Sequence, residues 1–327
     1  MQKTIALMLK GFAMGIAEII PGVSGGTIAF ITGIYEELID TIKSFGPHLI
    51  SVLRKQGVSG FWIAINGSFL LKLLLGMLLG IVLGVFLITQ LVQDYPEILW
   101  GFFFGLILAS SVYIFRIMPS RSPKEYVLII LAAFIAFALT SIAPAEGSRS
   151  LPFVFLSGMI AISALMLPGI SGSFILLIMG MYVIVIPELK LLITDFNTDS
   201  LLLIFTFGLG CLTGMAIFSR VLSYAFHHFK SPTFAILCGF MLGSLNKIWP
   251  WRIPTIWTDS SGTQWSSLET FTGEAEELKV LQEMKVFPDQ YSSEPYVWAT
   301  IISFILGLII VAALTRGEAE KSKSATF

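Results

Sequence analysis

Long apolar runs separated by short polar ones fill most of the chain, and their lengths define its elements. Residues 4–20 and 24–42 form two apolar arms around the tip Pro21-Gly22-Val23-Ser24-Gly25-Gly26-Thr27, which predicts a helical hairpin. A loop is expected over 43–65, followed by helices over 67–92, 97–117 and 126–143. A second hairpin has arms at 151–167 and 174–186 around Pro168-Gly169-Ile170-Ser171-Gly172-Ser173. Glu188, Asp195 and Asp199 fall in the loop after it, and helices over 201–226, 233–249 and 297–315 follow. A helix of about 20 apolar residues crosses the roughly 30 Å hydrocarbon layer of a bilayer, so these runs read as membrane segments. Residues 250–296 are too polar to span; they carry eight acidic residues and are expected to form a small cap or lid.

The second tip repeats the first 147 positions later, from Ser24 to Ser171, and register holds around it. Gly11 falls on Gly158, Ala17 on Ala164, Gly33 on Gly180, Tyr35 on Tyr182 and Ile39 on Ile186. Gly101-Phe102-Phe103-Phe104-Gly105 likewise matches Gly239-Phe240-Met241-Leu242-Gly243. The repeated unit is hairpin, helix, helix, over about 11–117 and 158–249, with the helices at 126–143 and 297–315 outside it. Gly76, Gly80 and Gly84, and Gly210 and Gly214, recur at four-residue spacing, a close-packing face for another helix. Lysine and arginine collect in 43–65, 116–125, 220–231 and the tail, which places those segments and both termini in the cytoplasm. The hairpins then open from opposite faces, the inverted-repeat plan of many transporters. Arms of about 17 residues are short for spanning, and a polar tip is easier to bury in protein than in lipid, so re-entrant hairpins are expected.

The fold class is therefore an all-α polytopic membrane protein of two inverted repeats, each a re-entrant hairpin plus two transmembrane helices, with two further transmembrane helices. The division runs 1–125 (first repeat), 126–149 (linking helix), 150–249 (second repeat), 250–296 (extracytoplasmic polar segment) and 297–327 (last helix and cytoplasmic tail). Composition agrees: of 327 residues, 55% are hydrophobic and only 13% charged, more apolar surface than a soluble domain can bury. A net charge of −1 gives no sign of nucleic-acid binding. Cys211 and Cys238 both lie in apolar helices and read as packing residues. The first residues have no small-residue cleavage site and read as the start of the hairpin, not as a signal peptide.

Each tip breaks a helix, because proline removes a donor and glycine permits backbone angles that side chains forbid. A Ser-Gly-Gly-Thr turn that opens a helix offers N–H groups and hydroxyls to an anion, phosphate above all. Gly22, Ser24, Gly25, Gly26, Thr27, Gly169, Ser171, Gly172 and Ser173 are the candidate phosphate-binding residues. The competing reading is that they serve tight turning and close packing alone. Glu18, three residues before Pro21, is a candidate proton carrier, or else a partner for a backbone N–H or for Lys72. Lys72 and Arg220 could attract phosphate, although snorkelling to the interface explains both. Gly22-Val23-Ser24-Gly25 also fits an intramembrane protease pattern, but a nucleophilic serine needs a nearby base. His48, His227 and His228 all fall in expected cytoplasmic loops, and His227-His228 lacks the spacing of a helical metal site. No catalytic residue, metal site or cofactor is expected.

Gly15-Ile16-Ala17-Glu18-Ile19-Ile20-Pro21-Gly22-Val23-Ser24-Gly25-Gly26-Thr27, followed by Gly33-Ile34-Tyr35-Glu36, resembles bacterial polyprenyl-phosphate transporters. Leu167-Pro168-Gly169-Ile170-Ser171-Gly172-Ser173 looks like that family's second motif, and the likeness covers nearly the whole chain apart from 250–296. It implies return of undecaprenyl phosphate from the outer to the cytoplasmic leaflet of the bacterial cytoplasmic membrane, for cell-wall and surface-glycan synthesis. It also implies a lipid substrate and no nucleic-acid partner, and leaves association of like chains open. Spacing alone leaves two alternatives: a transporter or channel for a small soluble anion, and a membrane scaffold whose acidic segment binds a partner.

Overall fold

A computed structural model describes residues 2–20, 23–142, 144–195, 197–259, 263–266 and 278–324. The first hairpin comprises α1 (Gln2–Ile19), α2 (Gly25–Ile31) and α3 (Tyr35–Lys43). Helices α4 (His48–Ala64), α5 (Gly67–Asp94), α6 (Pro96–Ile117) and α7 (Pro123–Leu139) follow. The second hairpin comprises α8 (Leu151–Met166), α9 (Gly172–Ile178) and α10 (Tyr182–Asp195), and leads into α11 (Thr198–His228) and α12 (Lys230–Ser244). Strands β1 (Arg252–Thr258), β2 (Gln264–Trp265) and β3 (Lys279–Lys285) make an antiparallel sheet in the order β2-β1-β3, before α13 (Val297–Ser324). By length and apolarity α5, α6, α11 and residues 297–315 of α13 can each cross a bilayer. Leu74, Leu78, Val82 and Phe86 of α5 are exposed, an apolar surface that only lipid or another apolar partner would cover. The chain is an all-helical polytopic membrane protein with one small sheet.

The structure corrects four sequence expectations. The second arm of each hairpin, expected as one helix over 24–42 or 174–186, is broken in two. Helices α2 and α9 have seven residues each; at 1.5 Å per residue that is only about 10 Å of rise. Gly33 and Gly180 end them at φ 70° and 65°, left-handed angles that side chains resist, and α10 leaves α9 at 110°. Residues 43–65 are not a loop. They contain α4, two helical pieces that meet at Gly57 (φ 66°), whose apolar Ile50, Leu53, Val58 and Ile63 stand exposed among polar neighbours, a mixture that lowers mean hydropathy and hides the helix. Glu188 and Asp195 belong to α10; the Glu188 carboxylate is buried because the Ser200 hydroxyl and Arg149 both reach it. The three histidines lie in helical turns at the start of α4 and the end of α11.

Glycines set the pairing of the long helices, and the two halves use them alike. A Cβ on Gly76 or Gly80 of α5 would stand 2.1 Å from the carbonyl oxygen of Met8 or Phe12 on α1. Gly210 and Gly214 of α11 meet the Phe155 and Met159 carbonyls of α8 at 2.1 and 2.4 Å in the same sense. Such spacing lets backbones touch, which is how helices associate where no hydrophobic effect separates them from lipid. Gly101 and Gly105 of α6 press on Thr300 and Phe304 of α13, while Gly239 and Gly243 of α12 press on Ile129 and Ala133 of α7. The two helices that the sequence placed outside the repeat each pair with one inside it: α7 packs on α12 and α13 on α6.

Candidate functional site

The two tips touch in the interior. Ser24 caps α2, its Oγ accepting the Gly26 N–H at 3.1 Å and donating to the Leu165 carbonyl at 3.3 Å. The Gly169 N–H donates to Thr27 Oγ1 at 3.1 Å, and the Tyr35 hydroxyl donates to the Met166 carbonyl. Ser24 and Thr27 are 0% exposed, Gly25 and Gly26 are buried, and the Gly25 N–H donates to Glu18 Oε1 at 2.8 Å. The donors of the first tip are therefore engaged inside the protein, with the Glu18 carboxylate where a foreign anion was expected. Gly22, like Pro21, lies outside the described residues. In the second tip Gly169 has φ 87°, Gly172 is buried against the Ala161 carbonyl, and the Ser171 and Ser173 hydroxyls stand 2.8 Å apart. Ser173 is exposed and faces a cavity.

That cavity, of about 680 Å³, lies between the tips and the small sheet. Glu18 and Ile19 of α1, Val92 of α5, Trp100 of α6, and Ser173 and Leu177 of α9 form part of its wall, and Lys247, Arg252 and Glu283 line it from the sheet side. Strand alternation puts Arg252, its register partner Lys285, and Glu283 on one face of the sheet. Arg252 Nη1 donates to Glu283 Oε2 at 2.8 Å and to the Lys247 carbonyl at 3.1 Å. Its guanidinium lies 4.2 Å from the centre of the Trp100 ring, a cation–π contact. Lys247 Nζ reaches the same Glu283 oxygen at 3.4 Å and sits 5.1 Å from the centre of Phe174. Burial pushes the Lys247 ammonium below its ordinary range, against the upward pull of Glu283. Burial, with Glu97 beside it, raises the Tyr291 hydroxyl to about 12. Two cations share one carboxylate here, which leaves this end of the cavity with an excess of positive charge.

Lys72 and Arg220 do not line this cavity. Lys72 is on α5, and Arg220 of α11 donates to the Ala216 and Phe45 carbonyls. Arg220 belongs to a second set of contacts, between α3 with the turn after it and the corner where α11 passes into α12. There the Ser223 hydroxyl donates to Asp40 at 2.6 Å, Lys43 donates to Ser223 at 3.0 Å, and Lys230 pairs with Glu36 at 2.9 Å. Sequence reasoning missed Lys247, Arg252 and Glu283, because the net acidity of 250–296 masked two bases beside its start. The β-branched and aromatic run Thr255-Ile256-Trp257-Thr258, with Ile253 before it, was the available sign of a strand. Among the described residues no cluster of His, Cys, Asp or Glu could hold a metal.

A profile of proteins described as undecaprenyl phosphate translocase-like matches residues 14–265. A polyprenyl-phosphate transporter of Vibrio cholerae serotype O1 is 41% identical over 261 residues, covering 80% of this chain and 82% of that protein. A polyprenyl-phosphate transporter of Staphylococcus aureus is 33% identical over 260 residues, covering 76% and 87%. No solved structure matches the chain. Both tips and the start of the sheet fall within the matched span, and on that match the chain belongs to the undecaprenyl phosphate translocase-like family, a family of transporters and not of enzymes.

Proposed function

We propose that this protein returns undecaprenyl phosphate from the outer to the cytoplasmic leaflet of the bacterial cytoplasmic membrane by alternating access. The halves act as inverted repeats with re-entrant hairpins, and both termini lie in the cytoplasm. The observation that carries the reading is the contact between the two tips at the base of a cavity with a basic end, in a chain of this family. The repeated glycine contacts of the two halves support the repeat, and the brevity of α2 and α9 supports re-entrance. Pro96, Pro250, Arg252 and Pro254 line the cavity from segments that the lysine and arginine bias puts outside, and the contacts of α3 with α11 and Lys230 would hold the other side closed. Ile19, Val92, Leu177 and Val280 give it apolar walls, which suit a lipid better than a small soluble anion.

A lipid phosphate must bring its charged head through hydrocarbon while its tail stays in lipid. Hydroxyl and cationic groups that replace water around the head lower that barrier. Ser173 faces the cavity in this conformation, with the Ser171 hydroxyl beside it, and these two meet the head at the second tip; Ser24, Gly25, Gly26 and Thr27 become available only when the tips part. Parting them frees Gly169 and Gly172 as well, and with them Gly22 completes the phosphate-binding set. In reconstituted vesicles the Ser171→Ala/Ser173→Ala variant is expected to move undecaprenyl phosphate at least about tenfold more slowly, the loss of two hydrogen bonds to a charged group. An unchanged rate would remove the second tip from the pathway. Carrying negative charge inward is uphill by about 2.3 kcal/mol per charge at 100 mV, which proton uptake at Glu18 offsets. Glu18→Gln keeps an oxygen for the Gly25 N–H and loses the proton site; its transport should no longer respond to an imposed proton gradient. A response as large as in the unaltered protein rules Glu18 out.

A further inference from the structure

The basic end of the cavity is held together in an unusual way. Arg252 has a side chain only 7% exposed, and its Nε is buried without a hydrogen-bond partner. Its Nη1 and the Lys247 ammonium converge on one atom, Glu283 Oε2. A buried guanidinium is tolerated when its five donors are met; here the shared carboxylate oxygen and the Lys247 carbonyl both take Nη1, and Nε is left without an acceptor. The other acids nearby are engaged elsewhere: Glu18 accepts the Gly25 N–H, and Glu97 accepts the Tyr291 hydroxyl. Lys285, the third base of the group, is held by the Asn246 side-chain oxygen.

A phosphate monoester offers three terminal oxygens and nearly two charges, a better match to two cations than a single carboxylate. We propose that Glu283 is the resident counter-ion of an anion site formed by Lys247 and Arg252, and that the phosphate head of the cargo displaces it. The proposal rests on the transport reading and deepens it by naming where the head is first held. Exchange of one anion for another leaves neither cation buried alone at any stage, which removes the large penalty of an unpaired internal charge. It also discriminates: a neutral polyprenol has nothing with which to displace Glu283.

The test is binding to the full chain in lipid nanodiscs, with undecaprenyl phosphate, undecaprenol and inorganic phosphate as separate probes. Glu283→Gln keeps the side-chain shape and removes the competing charge, so undecaprenyl phosphate should bind about tenfold tighter, with undecaprenol unchanged. Arg252→Gln should weaken undecaprenyl phosphate about tenfold or more. Glu283→Asp, which keeps the charge and withdraws it by one methylene, should tighten binding by a smaller factor and serves if the glutamine variant fails to fold. Equal or weaker binding in a folded Glu283 variant overturns the exchange and makes Glu283 a structural ion-pair partner. If the unaltered protein fails to distinguish undecaprenyl phosphate from undecaprenol, the transport reading itself fails. If inorganic phosphate alone binds as tightly as the lipid and Glu283→Gln tightens it, the exchange stands and the cargo is a soluble anion.

Discussion

Joining α3 to α11 stops transport. With Asp40→Cys and Ser223→Cys bridged by a short thiol-reactive linker, vesicles carrying the protein should move undecaprenyl phosphate no faster than vesicles without it. A linker cleaved by reductant should restore the rate. The native groups are already 2.6 Å apart, so the bridge fixes a contact that exists instead of forcing a new one. A hydrogen bond to a charged group contributes about 1.5–3 kcal/mol, small enough to break in each cycle. Lys230 with Glu36, and Arg220 with the Phe45 carbonyl, must open along with it. Binding of the head group should survive the bridge, because Lys247, Arg252 and Ser173 line the cavity on the other side of the tips. Undiminished transport after complete bridging would show that α3 and α11 need not separate, and the closed side would have to be sought elsewhere.

The second large effect is expected at Gly169. Its φ of 87° is one that an L side chain adopts only at a cost of about 1–2 kcal/mol. A Cβ there would also stand 2.9 Å from the Cα of Met241, a backbone atom of α12 that cannot turn aside. Gly169→Ala must therefore shift the second tip, and with it the N–H that reaches Thr27. A loss of about 2–4 kcal/mol in stability and a transport rate near background are expected. Gly208→Ala is the control: nothing lies within 4 Å of a Cβ there, and alanine favours a helix over glycine by up to about 1 kcal/mol. If Gly169→Ala melts and transports like the unaltered protein, the contact between the tips is dispensable.

The hairpin tips and the long helices were legible in the sequence because each has a local cause. Pro168 and the glycines beside it break a helix by themselves, and α5, α6 and α11 are apolar over more than the thickness of a bilayer. The breaks at Gly33 and Gly180 were less legible, since a single glycine within an apolar run fits a packing face as well as a turn. Helix α4 was hidden by its mixed polarity. The pairing of α6 with α13, and of Lys247 and Arg252 with Glu283, has no local signature, for it joins segments far apart in the chain. The family likeness suggested the proposed cargo, yet the bases that line its proposed cavity became visible only once β1 and β3 were placed side by side.

The pairing of α6 with α13 bears on how the protein is made. Helix α6 presents Gly101 and Gly105 to a partner, α13, which the ribosome produces about two hundred residues later. Until then that glycine face meets lipid or an insertion factor, and α6 lacks the neighbour it packs on in the finished fold. The α6–α13 seam therefore closes late, after everything between the two helices has been made.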